Sequence, residues 1–282
     1  MIAFALPWPF DRTYMQLALA AGLVVGAAAP LIGAFLVQKR MSLLGDGIGH
    51  IAFAGVAGGL LLGVWPVWTA LVVSVASALV IERLRARGTS GDLALALFFY
   101  GGIAAGVVIT GLAGSLNANL FAYLFGSILT VGRADVVVVV VLGVVIVATM
   151  AVTRRALFAV VVDEEWARVA GLPVDLLNGI LAALTAVTIV AAIRVVGVLL
   201  IAAMIVLPVA CARLVARSFR RQLTWSMVIG MGAALVGLIA ARAWALAPGG
   251  SIVLTAVLTY AVLAIATVRR RRSQRFSIRM VQ

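Results

Sequence analysis

Nine apolar runs fill most of the sequence, and their length constrains the fold more than any other feature. They cover approximately Tyr14 to Val37, Ile48 to Val64, Val67 to Ile81, Leu93 to Leu112, Val136 to Val152, Leu176 to Ile193, Val198 to Leu214, Trp225 to Ala245 and Ile252 to Val268. A bilayer-crossing helix needs roughly 20 apolar residues. In hydrocarbon only a helix or a closed barrel satisfies its own backbone. The runs therefore predict an all-α polytopic membrane protein of about nine transmembrane helices. Composition agrees: 11% of residues are charged and mean hydropathy is +1.23, where a soluble domain carries about 25% charged residues. The second run is short and glycine-rich, so its start is expected to be unwound.

A net charge of +13 in a soluble chain would point to nucleic acid, but here the arginines end apolar runs and read as orientation signals. With an external N-terminus, the inner connections hold Lys39 and Arg40; Arg83, Arg85 and Arg87; Arg154, Arg155 and Arg168; Arg213, Arg217, Arg220 and Arg221; and Arg269 to Arg272 with Arg275 and Arg279. Of the 22 basic residues, only Arg12, Arg133, Arg194 and Arg242 fall outside. The positive-inside rule then predicts a cytoplasmic C-terminus. Residues 1–268 read as a single transmembrane domain with an inner segment at 154–175, and residues 269–282 as a basic cytoplasmic tail able to touch anionic lipid headgroups. Met1 to Phe10 lacks the basic n-region of a cleavable signal. Cys211 is the only cysteine, which excludes an intrachain disulfide and a multi-cysteine zinc site.

Against this apolar background, Asp46 and the only histidine, His50, stand one helical turn apart, on one face of a helix. Ionisable groups at membrane depth are costly and mark function by default. A carboxylate and an imidazole suit zinc, manganese or iron. Two other readings stay open: Asp46 as a helix cap, and His50 as a packed ring bonded to a backbone carbonyl. Two connections also stand out. Ala113 to Ala134 is too apolar for a free outer loop and reads as a re-entrant helix or one lying at the membrane surface. Arg154 to Asp175 holds four of the nine acids; Asp163, Glu164 and Glu165 can cap and begin a short helix that Gly171 and Pro173 end, giving a docking surface or a solvated connector. Pro30 and Pro208 should each free a carbonyl and bend their helices. No G-x-x-x-x-G-K-[ST] phosphate loop occurs, so ATP binding of that kind is not expected of this chain. Gly45-x-Gly47-x-Gly49 follows no strand, so it is no dinucleotide fingerprint.

The run Lys39-Arg40-Met41-Ser42-Leu43-Leu44-Gly45-Asp46-Gly47-Ile48-Gly49-His50, with Gly55 after it, resembles the R-M-S-x-x-G-D-x-x-x-H-x-x-x-x-G signature of the ABC-3 family, the membrane subunits of zinc and manganese ABC importers. Similar in order are Asn119 to Leu129, Val196-Gly197-Val198-Leu199-Leu200 leading to Leu207 to Arg213, and Pro248-Gly249-Gly250-Ser251. The likeness spans roughly Leu17 to Val268.

The resemblance implies a fold related to the cobalamin and siderophore permeases. It also implies a second membrane subunit, expected to be an identical chain, a separate cytoplasmic ATPase dimer, and an external solute-binding protein that delivers the metal. Zinc or manganese is the expected cargo, with iron a further option, and no cofactor is permanently bound. Asp46 and His50 correspond to the family's metal-contacting pair. Asp163, Glu164, Glu165, Ala167 and Gly171 correspond to the helix that couples to the ATPase. Many relatives read G-D-A-x-S-H; Gly47 and Gly49 replace the Ala and Ser here, and at about 1 kcal/mol each against Ala they are expected to loosen the site. A proton-coupled secondary transporter and a non-transporting membrane scaffold are the alternatives, though no inverted repeat of the first kind is visible.

Overall fold

The computed structural model describes residues 8–112, 118–198 and 200–279. These residues form eleven helices and no strand: α1 (Thr13–Gln38), α2 (Leu44–Leu61), α3 (Pro66–Ala86), α4 (Gly91–Leu112), α5 (Ala118–Phe125), α6 (Arg133–Val162), α7 (Glu164–Val169), α8 (Val174–Ala192), α9 (Ile201–Val215), α10 (Phe219–Trp244) and α11 (Pro248–Arg279). Eight of them, all but α5, α7 and α9, are long and apolar enough to cross a membrane.

Four expectations change in detail. The run at Val198 to Leu214 yields α9, only 15 residues and so about 22 Å long, short of a hydrocarbon core of about 30 Å. A turn-rich stretch from Ile193 precedes it. Helix α2 is regular from Leu44 onward, so its start is not unwound. Helix α6 continues through Arg154 to Val162, because no glycine or proline intervenes before Gly171 and Pro173; the connecting segment between the two long helices shrinks to 163–173 around α7. Finally, α11 extends helically to Arg279 into the basic tail. Of the connection between α4 and α6, residues 113–117 lie outside the described residues, and the rest forms α5 followed by an irregular stretch.

Six consecutive valines, Val136 to Val141, lie within α6. In water such a run favours a strand, but in lipid every backbone group must find its partner within the segment, and the helix wins. Valines at 137, 140, 141, 144, 145 and 147 are exposed along it.

Helices α1, α2 and α8 form the interior, with most of their apolar residues buried, while α4 and α11 are peripheral and mostly exposed. Helix α1 crosses α10 where Gly26 meets Gly230. A Cβ on Gly230 would lie 2.1 Å from the Gly26 carbonyl oxygen. That carbonyl is the one Pro30, four residues on, leaves without an N–H donor. The close approach of the Gly230 backbone gives it a weak C–H···O partner, and α1 runs unbroken through Pro30. Antiparallel threading is fixed by aromatic contacts at one end, where Phe219 at the start of α10 meets Phe35 at 5.1 Å and Phe158 at 4.7 Å. At the other end Arg242 of α10 reaches Asp11 at 3.5 Å.

Candidate functional site

Helix α1 ends in a Schellman turn: Arg40 N–H donates to Val37 O at 3.2 Å and Met41 N–H to Leu36 O at 2.9 Å. Arg40 occupies the position usually given to glycine, with φ 60°, a conformation that costs an L-residue roughly 1–2 kcal/mol. The tight reversal delivers the chain into α2 at Leu44, which puts Asp46 in the first helical turn, where the N-terminal dipole favours a carboxylate.

Asp46 and His50 are both half-buried and share one face of α2. The helix cap is Leu43, without a side-chain cap bond. Neither Asp46 nor His50 has a hydrogen bond or ion pair to the other described residues. The readings as a capping acid and as a carbonyl-bonded histidine therefore find no support. The His50 ring stands edge-on to Phe99 of α4 at 4.5 Å. No third His, Cys, Asp or Glu joins the pair into a metal-binding group among the described residues.

The glycines around the pair serve close approach. A Cβ on Gly47 would lie 2.2 Å from Leu95 Cδ1, one on Gly49 3.3 Å from Val198 O, and one on Gly102 2.9 Å from the His50 carbonyl carbon. Gly47 and Gly49 thus let α4 and the lead-in to α9 pack close against α2.

At the α1–α2 end, the expected coupling residues assemble α7. Asp163 caps it, its Oδ1 accepting from Trp166 N–H at 2.9 Å. Gly171, at φ 80°, closes a second Schellman turn in which Leu172 N–H donates to Ala167 O at 3.1 Å. Ala167 is fully buried; Trp166 and Val169 face outward at 65% and 88% exposure. Glu165 is exposed, whereas Glu164 turns inward: its Oε1 accepts from Asn178 Nδ2 at 3.1 Å and its Oε2 lies 3.4 Å from Lys39 Nζ. Lys39 also donates to Asn178 Oδ1 at 2.5 Å. Burial pushes the Lys39 ammonium below the usual lysine pKa range, with Glu82 and Glu164 opposing that shift. A cavity of about 580 Å³ lies beside this cluster between α3, α7 and α8, lined by Glu82, Arg85, Glu164, Arg168 and Asp175. Sequence reasoning missed Lys39 and Asn178 as partners; a polar Asn inside an apolar run was the available signal.

The opposite end holds a second cluster that sequence reasoning missed. Arg194 grips Asp135 through Nε at 3.0 Å and Nη2 at 3.1 Å, its guanidinium lies 4.8 Å from the Tyr123 ring centre, and Asp135 is buried. Beside it, three of the stretches that carried the family resemblance meet. Val198 N–H donates to Tyr123 O at 3.0 Å. A Cβ on Gly197 would lie 2.4 Å from Leu124 O, one on Gly126 2.4 Å from Val195 O, and one on Gly249 1.9 Å from Val196 O. The backbone of residues 123–127 is thus packed in protein.

Comparison with known proteins agrees with this architecture. The chain is 29% identical over 266 residues to the manganese import system permease protein ScaB of Streptococcus gordonii, covering 94% of this chain and 95% of that one. It is 29% identical over 238 residues to the high-affinity zinc uptake system membrane protein ZnuB of Haemophilus influenzae, covering 84% and 91%. Among solved structures, a chain of PsaBC from Streptococcus pneumoniae in complex with a Fab superposes with a TM-score of 0.81 at 31% identity, covering 90% and 91%. The ABC 3 transport family matches from residue 11 to residue 267, and the chain belongs to that family as a membrane permease subunit with several transmembrane helices.

Proposed function

We propose that this chain is the transmembrane subunit of an ATP-binding-cassette importer that moves a divalent metal, zinc or manganese, into the cell, with Asp46 and His50 as its ligands. The observation that carries the reading is the pair itself: a carboxylate and an imidazole one turn apart on α2, half-buried and without a hydrogen-bond partner among the described residues. Because the pair is partly open at the protomer surface, a second membrane subunit can supply a matching pair and waters the remaining ligands. An incomplete shell of this kind favours release over retention.

In this reading α7 is the surface on which a cytoplasmic ATPase dimer pushes, with Asp163, Glu164, Glu165, Ala167 and Gly171 shaping it. An external binding protein delivers metal at the Tyr123–Asp135–Arg194 end. The C-terminus then lies in the cytoplasm and the protein in a bacterial plasma membrane. Hydrolysis belongs to the ATPase partner, and the metal is cargo rather than cofactor. Metal uptake by the reconstituted complex tests the site. Asp46→Ala and His50→Ala should each abolish accumulation while expression and ATPase docking persist, and normal uptake by both variants would reject the assignment.

A further inference from the structure

The α1–α2 turn that sets where Asp46 begins is held from two sides by polar side chains, an arrangement that packing does not require. On one side, Lys39, Asn178 and Glu164 close a triangle between the end of α1, the first turns of α8 and the first residue of α7. On the other, Arg85 of α3 donates to Met41 Sδ at 3.1 Å and pairs with Glu82 at 2.6 Å. The Lys39 side chain is only 7% exposed. Burying an ammonium costs more than burying an apolar side chain of the same size, so a triangle of this kind contributes geometry more than stability. Glu164, at 43% exposure, can leave Lys39 and be taken up by water. The contact is therefore one that can break and re-form.

We propose that Lys39 is a positioning residue that links the placement of α7 to the metal-bearing end of α2. Lys39 is followed at once by the left-handed Arg40 and the hydrogen-bonded Met41, and this stiff turn leads within a few residues to Asp46. A displacement of α7 that draws Glu164 away takes the counter-charge from Lys39, which then keeps only its bond to Asn178, and the turn into α2 loses one of its polar braces while the Met41–Arg85 contact stays. A displacement that brings Glu164 back re-seats the turn. The ligand pair thus receives the state of the ATPase through one ammonium group. This inference rests on the reading of Asp46 and His50 as the metal ligands and of α7 as the ATPase-facing helix.

The test is the amount of metal moved per ATP hydrolysed by the full complex in proteoliposomes, with manganese and zinc each supplied on the binding protein. Lys39→Met keeps the aliphatic stem and should lower that ratio by about 10-fold, with ATP turnover within about twofold of the parent. Lys39→Arg should restore most of the ratio. Combining Lys39→Met with Glu164→Gln should be no worse than Lys39→Met alone. An unchanged ratio in Lys39→Met overturns the proposal. So does a parallel fall of uptake, ATP turnover and folded yield, the pattern of a merely structural residue. Should Lys39→Met fail to fold, Asn178→Leu decides, and an unchanged ratio there is equally fatal. Normal uptake by Asp46→Ala and His50→Ala would remove the underlying reading instead, whereas loss of uptake there with normal coupling in Lys39→Met removes only this inference.

Discussion

The two ends of the helix bundle hold their charges differently. At the Tyr123 end, Arg194 meets Asp135 through two parallel hydrogen bonds, both side chains are largely buried, and glycines at 126, 197 and 249 press backbone on backbone around them. At the α7 end, Lys39 reaches a half-exposed Glu164 through a single longer contact and shares it with an asparagine. A planar fork matched to a carboxylate fixes direction as well as distance, whereas an ammonium on a flexible stem fixes neither. One end is built to keep its shape and the other to exchange partners.

The largest effect should come from the rigid end. Gly197→Ala adds a Cβ 2.4 Å from Leu124 O at φ 88°, and about 3 kcal/mol or more of stability should be lost, read as a collapse of folded yield and thermal midpoint in detergent. Next, Arg194→Met strands the buried Asp135 carboxylate and should cost about 3 kcal/mol. Lys39→Met, the matching change at the other end, should cost under about 1 kcal/mol because Glu164 can rehydrate. Equal losses of thermal midpoint in these two variants would break the contrast. Gly171→Ala meets no atom within 4 Å but sits at φ 80°, so only the backbone cost of about 1 kcal/mol should appear. Smallest of all, Arg168→Ala removes an exposed pair with Asp175 and should leave the melting curve unchanged, since surface ion pairs contribute little.

Much of the bundle was legible because hydrophobic length is a local property. Each apolar run contains its own helix, and even the valine run of α6 could be assigned once lipid replaced water as the solvent. Boundaries were harder where no breaker marks them, as at Val152 to Val162. The Asp46–His50 pair was legible for the same local reason, being separated by one turn. The clusters at the two ends were not: Asp135 and Arg194 lie 59 residues apart, Lys39 and Asn178 lie 139 apart, and no local pattern announces such a meeting. Gly47 and Gly49 show a related difficulty. Propensity treats a glycine in a helix as a weakness, but Leu95 and Val198 occupy the space each of them leaves.

Helix α6 runs for 30 residues, about 45 Å, and therefore outruns a bilayer core of about 30 Å. Its final turns carry α7 like the bit on the end of a key. Inserting one residue between Thr153 and Val162 would swing that bit by about 100° and turn Glu164 away from Lys39, while leaving every membrane span intact. The stretch that looks freest to vary in length is the one whose residue count sets which way Glu164 points.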